Sequence, residues 1–81
     1  MKLIIRNLSR ETTEEQLRRL FQAYGDVESC DLVLDKVTGK SKGFGFVEMP
    51  KEVNALFAIK KLNNKEINRA RIRVKEAEEK K

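Results

Sequence analysis

An α+β fold, with a four-stranded antiparallel sheet covered on one face by two helices, is the architecture this sequence predicts. Three observations carry it. Apolar residues alternate with a period of two in four short segments and recur at helical spacing in two others. Those segments follow one another as strand, helix, strand, strand, helix, strand. The chain has 81 residues, 40% of them hydrophobic and 38% charged, which suits one domain with a modest core.

The first strand is "LIIRNL", rich in aliphatic and β-branched residues, and "NLSRET" turns the chain out of it. "TTEEQLRRLFQAYGDV" then supplies a helix. Thr12 or Thr13 caps it with Glu15 or Gln16 three residues on, and Gly25 stops it. Leu17, Leu20, Phe21 and Tyr24 fall on one face, while Glu14 and Glu15 suit the positive end of the helix dipole. "VESCDLVLD" is the second strand, with Cys30, Leu32 and Leu34 on one side and Asp31 and Val33 on the other. A turn-rich loop, "DKVTGKSKG", leads into the third strand, "SKGFGFVEM". The second helix follows Pro50 with Ala55, Ala58, Ile59 and Leu62 on one face, and Asn63 and Asn64 end it. "RIRVK", residues 71–75, is the fourth strand, and "EAEEKK" is expected to fray. The domain is expected over residues 1–77, with a charged tail at 78–81.

This order is the split βαβ, or ferredoxin-like, pattern. Right-handed crossovers put both helices on one face of a sheet with strand order 4-1-3-2, leaving the other face open. In the third strand, alternation places Lys42, Phe44, Phe46 and Glu48 on one side and Gly43, Gly45, Val47 and Met49 on the other. A small core cannot hold unpaired Lys42 and Glu48, so their side must be the open one, and two of the chain's four phenylalanines go with it. Gly43 and Gly45 are then expected beneath the helices, where a missing side chain permits close approach. The spacing GxGxxE, continuing a strand, does not suit a nucleotide phosphate loop. The same alternation sends Lys2, Ile4 and Arg6 outward from the first strand, and Arg71, Arg73 and Lys75 outward from the fourth. Two aromatic rings in a field of cations suit single-stranded nucleic acid, whose bases stack on rings while Lys and Arg track the phosphates.

"KGFGFVEM" resembles the octamer motif of the RNA-recognition motif family, matching seven of the eight positions of K/R-G-F/Y-G/A-F-V-x-F/Y. "LIIRNL" resembles that family's hexamer motif, and the similarity extends over about residues 2–77. The resemblance implies RNA binding through Lys42, Phe44 and Phe46, helped by the first and fourth strands and the loop at 35–42. The expected contact set is therefore Phe44, Phe46, Lys42, Ile4, Arg6, Lys2, Arg73, Lys75 and Val33, with Lys36 and Lys40 acting from a mobile loop. Three positions depart from the family pattern. Ile4 stands where an exposed aromatic is usual; Met49 replaces an aromatic at an inward position; and Arg69-Ala70 stands where Gly-Arg is common, so that Asn68 is left to supply a left-handed residue.

Net charge is +5, which favours an anionic partner: single-stranded RNA, with single-stranded DNA not separated from it. The chain has no His and a single cysteine, Cys30, in an apolar run, so neither an internal disulfide nor a catalytic or metal-binding set is expected. No enzyme activity, cofactor, metal or membrane span is expected. With a strand starting straight after Met1 there is no room for a signal segment, and a monomer in the cytosol, or the nucleus of a eukaryote, is the expectation. Val53 and Phe57, four residues apart and opposite the apolar face of the second helix, form a candidate protein contact.

Overall fold

The computed structural model describes residues 1–77, so the tail expected at 78–81 lies outside the described residues. The elements are β1 (Lys2–Arg6), α1 (Glu14–Gln22), β2 (Ser29–Leu34), β3 (Ser41–Glu48), α2 (Glu52–Leu62), β4 (Glu66–Ile67), β5 (Ala70–Arg71) and β6 (Arg73–Glu76). Four of the strands form an antiparallel sheet in the order β2-β3-β1-β6. With β6 as the fourth long strand, this is the expected 4-1-3-2 arrangement.

Local hydrogen bonds fix the start of α1 and the end of α2. Thr13 caps α1 in a complete capping box: its hydroxyl accepts from the Gln16 amide at 3.1 Å, and its own amide donates to Gln16 Oε1 at 3.2 Å. Thr12, the other cap candidate, is buried instead. Leu17 and Phe21 of α1 and Ala55, Ala58 and Leu62 of α2 reach the core, with Leu20, Tyr24 and Ile59 packed at its margin. Leu3 and Ile5 of β1, Cys30, Val47 and Val74 meet them from the sheet, and Met49 and Ile72 from just beyond strand ends. At the end of α2 Asn63 caps the helix, and its side-chain oxygen accepts the Val74 amide at 3.0 Å.

Four expectations need correction. The fourth strand is interrupted at Ile72, whose amide donates to the Lys65 carbonyl at 3.0 Å and whose carbonyl accepts the Asn64 amide at 2.8 Å. Arg71 consequently belongs to a separate hairpin, β4–β5, rather than to the sheet. The strand also runs past Lys75, since Glu76 pairs with Leu3 and the Ala77 amide donates to the Lys2 carbonyl at 2.8 Å; fraying does not begin at Glu76. Leu34, expected inward with Cys30 and Leu32, is 50% exposed. Glu14, the first residue of α1, already sits beside Leu32, accepting its amide at 3.1 Å, so Leu34 overshoots the helix layer. Gly43 does not lie beneath a helix: it has φ +85°, and the atoms nearest a side chain placed there belong to Leu8 and Arg10 of the β1–α1 loop.

Gly45, by contrast, is where close approach is required. A Cβ there would lie 2.7 Å from the Asp31 carbonyl oxygen and 3.2 Å from Leu17 Cδ2, so the missing side chain lets α1 settle on the sheet. Gly43 serves a different need. The register Ser29↔Glu48 through Leu32↔Gly45 shifts to Leu34↔Ser41, so Val33 alone faces Lys42, Gly43 and Phe44. That bulge requires a left-handed residue, and glycine adopts it without penalty.

Candidate nucleic-acid interface

The uncovered face of the sheet is built around its two central strands. Ile4 of β1 stands opposite Phe46 of β3 and, on its other side, opposite Lys75 of β6, while Arg6 stands opposite Arg73. This cross-strand row follows from alternation alone, because Leu3, Ile5, Val47 and Val74 are committed to the core. Phe44 and Phe46 are partly exposed, with ring centroids 6.2 Å apart and planes inclined at 84°. The bulge does not turn Phe44 away from Phe46, because its two additional residues preserve the alternation of β3.

Cations frame the rings. The Lys2 ammonium lies 5.1 Å from the centroid of Phe46, within cation–π range. Ile4, Arg6, Asn7, Gly43 and Phe44 enclose a recess of about 280 Å³, and Ile4, Arg6, Arg73 and Lys75 enclose a second of about 220 Å³. Both recesses adjoin Ile4, whose short aliphatic side chain stands between the ring of Phe44 and the cations of β6. Neither is lined by a carboxylate.

The structure thus groups Lys2, Ile4, Arg6, Phe44, Phe46, Arg73 and Lys75. Lys42 is exposed at the bulged end of β3, and Val33 is partly buried across from it; neither lines the two recesses. Lys36 and Lys40 belong to a tied turn. Asp35 accepts the Val37 and Thr38 amides through Oδ1 at 2.8 and 3.0 Å, and its own amide donates to the Lys40 carbonyl at 2.7 Å. The Thr38 and Val37 amides hold the Asp35 carboxyl below its usual range.

Two residues at this face were not singled out from the sequence. Asn7 holds a left-handed conformation, φ 58°, and donates from Nδ2 to the Arg71 carbonyl at 2.7 Å, tying the end of β1 to the hairpin. An Asn at the strand exit was the available signal. Arg10 lies beside Gly43 across the bulge and had no signal in the sequence, since the contact depends on the bulge.

Elsewhere, Val53 is 71% and Phe57 49% exposed, and Leu56 joins them at 50%. Phe57 is nevertheless engaged, packing edge-on against Tyr24 with centroids 5.5 Å apart and with the Lys61 ammonium 5.5 Å from its own centroid. Cys30 is buried, its thiol directed to the Glu14 carbonyl at 3.6 Å. Burial, reinforced by the Glu14 carboxylate, pushes its pKa up to about 11.

The chain belongs to the RNA recognition motif family, whose model matches residues 3–73. UBP1-associated protein 2C of Arabidopsis thaliana is 53% identical over 64 residues, covering 79% of this chain and 16% of that protein. The chain spans no more than 20% of the length of this and a second Arabidopsis relative, UBP1-associated proteins 1A. Among solved structures, the RNA-binding protein PG1 superposes with a TM-score of 0.94 at 42% identity, covering 100% of this chain and 98% of that one. The Sxl-lethal protein in complex with RNA superposes with a TM-score of 0.92 at 32% identity, covering 99% of this chain and 48% of that one. No helix among the described residues is long and apolar enough to cross a membrane.

Proposed function

We propose that this chain binds single-stranded RNA on the open face of its sheet, by stacking and charge and with no covalent step. The observation that carries this reading is the pair of partly exposed rings, Phe44 and Phe46, held 6.2 Å apart beside Lys2, Arg6, Arg73 and Lys75. A duplex hides the base faces that such rings need, whereas a single strand can splay its bases onto them. The RNA complex of the Sxl-lethal protein, a structural neighbour across nearly the whole chain, supports the same reading.

In this reading two bases stack on Phe44 and Phe46, and Ile4 offers an apolar contact where a third ring would stand. Arg6, Arg73 and Lys75 contact phosphates or base edges. A base settling on Phe46 competes with Lys2 for the ring, and the displaced ammonium becomes available to a phosphate. Val33 borders the rings at the bulge. Lys42, Lys36 and Lys40 extend the cationic track beyond the grouped residues, toward the β2–β3 turn. The protein acts as a monomer, a reading supported at both sheet edges, where the Leu32 and Val74 amides are taken by side chains of Glu14 and Asn63.

The test is an amide NMR titration with a randomised single-stranded RNA octamer, repeated with the DNA octamer. Shifts concentrated on residues 2–6, 42–48 and 73–75 are expected. If those amides stay still in low salt while the spectrum remains folded, the open face is not an RNA site. Tighter binding of the RNA than of the DNA would place a ribose hydroxyl among the contacts.

A further inference from the structure

The hairpin β4–β5, which the alternation of the fourth strand hides, forms a wall against α1. Between them runs a groove of about 390 Å³ whose floor is made by Leu20, Tyr24, Leu62 and Ile67. It shares no lining residue with the two recesses of the open face. Its walls are fixed to each other: Asn68, in the hairpin turn, donates from Nδ2 to Thr12 Oγ1 at 2.9 Å and to Gln16 Oε1 at 3.3 Å. We propose that this groove docks a short acidic segment of a partner protein, anchored by an aliphatic or aromatic side chain.

Three features select that occupant. The volume lies within the range of ligand clefts, about 300–1,000 Å³, and the floor is apolar, so a buried hydrophobic anchor fits it. Arg19 and Lys65 line it with no carboxylate among the lining residues, so its charge favours an acidic ligand. The Glu15–Arg19 bridge, 2.8 Å between largely exposed side chains, is of a kind that contributes little and exchanges readily for an incoming carboxylate. RNA meets the same charge but not the same floor. The groove's one aromatic, Tyr24, is only partly exposed and packs against Phe57 with planes at 67°, and no pair of open rings waits for bases.

The test uses capped peptides, EDELFDELLEDE and its counterpart KKKLFKKLLKKK, titrated into the labelled protein. The acidic peptide is expected to shift amides of residues 16–24 and 62–68, and the basic one to leave them unmoved. Arg19→Glu combined with Lys65→Glu should weaken the acidic peptide by at least about tenfold with RNA-induced shifts on the open sheet retained. Should that variant fail to fold, Ala23→Trp, filling the groove from an exposed position, is expected to block the peptide by itself. The proposal is overturned if the acidic peptide leaves the groove amides still at about 1 mM. It is equally overturned if both peptides bind alike, or if the RNA octamer shifts those amides in preference to the sheet. The two peptide titrations are read without RNA, so their outcome is separate from whether the open face binds RNA.

Discussion

Phe44 and Phe46 are the residues on which the RNA reading rests, and alternation along eight residues of β3 was enough to turn both toward solvent. Replacing either with Ala is expected to weaken RNA binding by about 1–3 kcal/mol, read by titration calorimetry. The accompanying loss of stability should stay under about 1 kcal/mol, because both rings remain partly exposed. A mutant that melts far below the parent would show that the ring is core. Ile4 makes the converse test. It stands directly opposite Phe46, so Ile4→Tyr adds a third ring to the row and should tighten binding, by up to about 1–3 kcal/mol; unchanged affinity would remove β1 from the contact surface. At Cys30 the folded thiol titrates near pH 11 against an ordinary value of 9.0. The unfolded chain therefore releases this proton first as pH rises. The stability linked to Cys30 is fully present below pH 9 and is lost progressively between pH 9 and 11. Relative to Cys30→Ala, the parent should lose stability across that window, and its thiol should resist alkylation at pH 8 unless the protein unfolds.

At the scale of elements, the β4–β5 hairpin is the part the sequence concealed. "RIRVK" alternates so regularly that it reads as one strand, yet Ile72 spends its backbone groups on Asn64 and Lys65 and leaves the ladder. The turn before it was only half legible. Asn68 does take a left-handed conformation, φ 51°, but Arg69 takes one as well, φ 68°, as both central residues of a two-residue I′-type hairpin must. For Arg that conformation costs about 1–2 kcal/mol, and glycine's greater chain entropy returns part of the gain. Arg69→Gly is accordingly expected to stabilise the fold by about 0.5–1 kcal/mol in a urea melt. A lower midpoint would mean that the Arg69 side chain contributes more than its backbone strain removes.

For the whole molecule, the charge sits on both sides of the sheet, and salt separates its roles. If three to five phosphates are neutralised on the open face, log K should fall against log salt with a slope of about −2 to −3.5, at roughly −0.7 per contact. A flat response would take Arg6, Arg73 and Lys75 out of the mechanism. With one anionic ligand on each face, the RNA octamer and the acidic peptide should bind together. The edges of the sheet carry a second molecular property. Glu14 caps β2 and Asn63 caps β6 at amides that would otherwise invite another strand, and neither role is visible in a linear reading, because each side chain comes from an element packed beside the edge.

The sequence by itself determined the order of the two helices and four long strands, the inward placement of Leu3, Ile5, Val47 and Val74 and the outward pair of phenylalanines. All of these follow from periodicity and from the cost of burying Lys or Glu, which act residue by residue along the chain. Only the tertiary structure decided the bulge opposite Val33, the exposure of Leu34, the engagement of Phe57 by Tyr24 and the groove behind the hairpin. Each of these depends on where one element ends against another, and that is fixed by packing and by long-range hydrogen bonds such as Asn68 to Thr12, not by any local pattern.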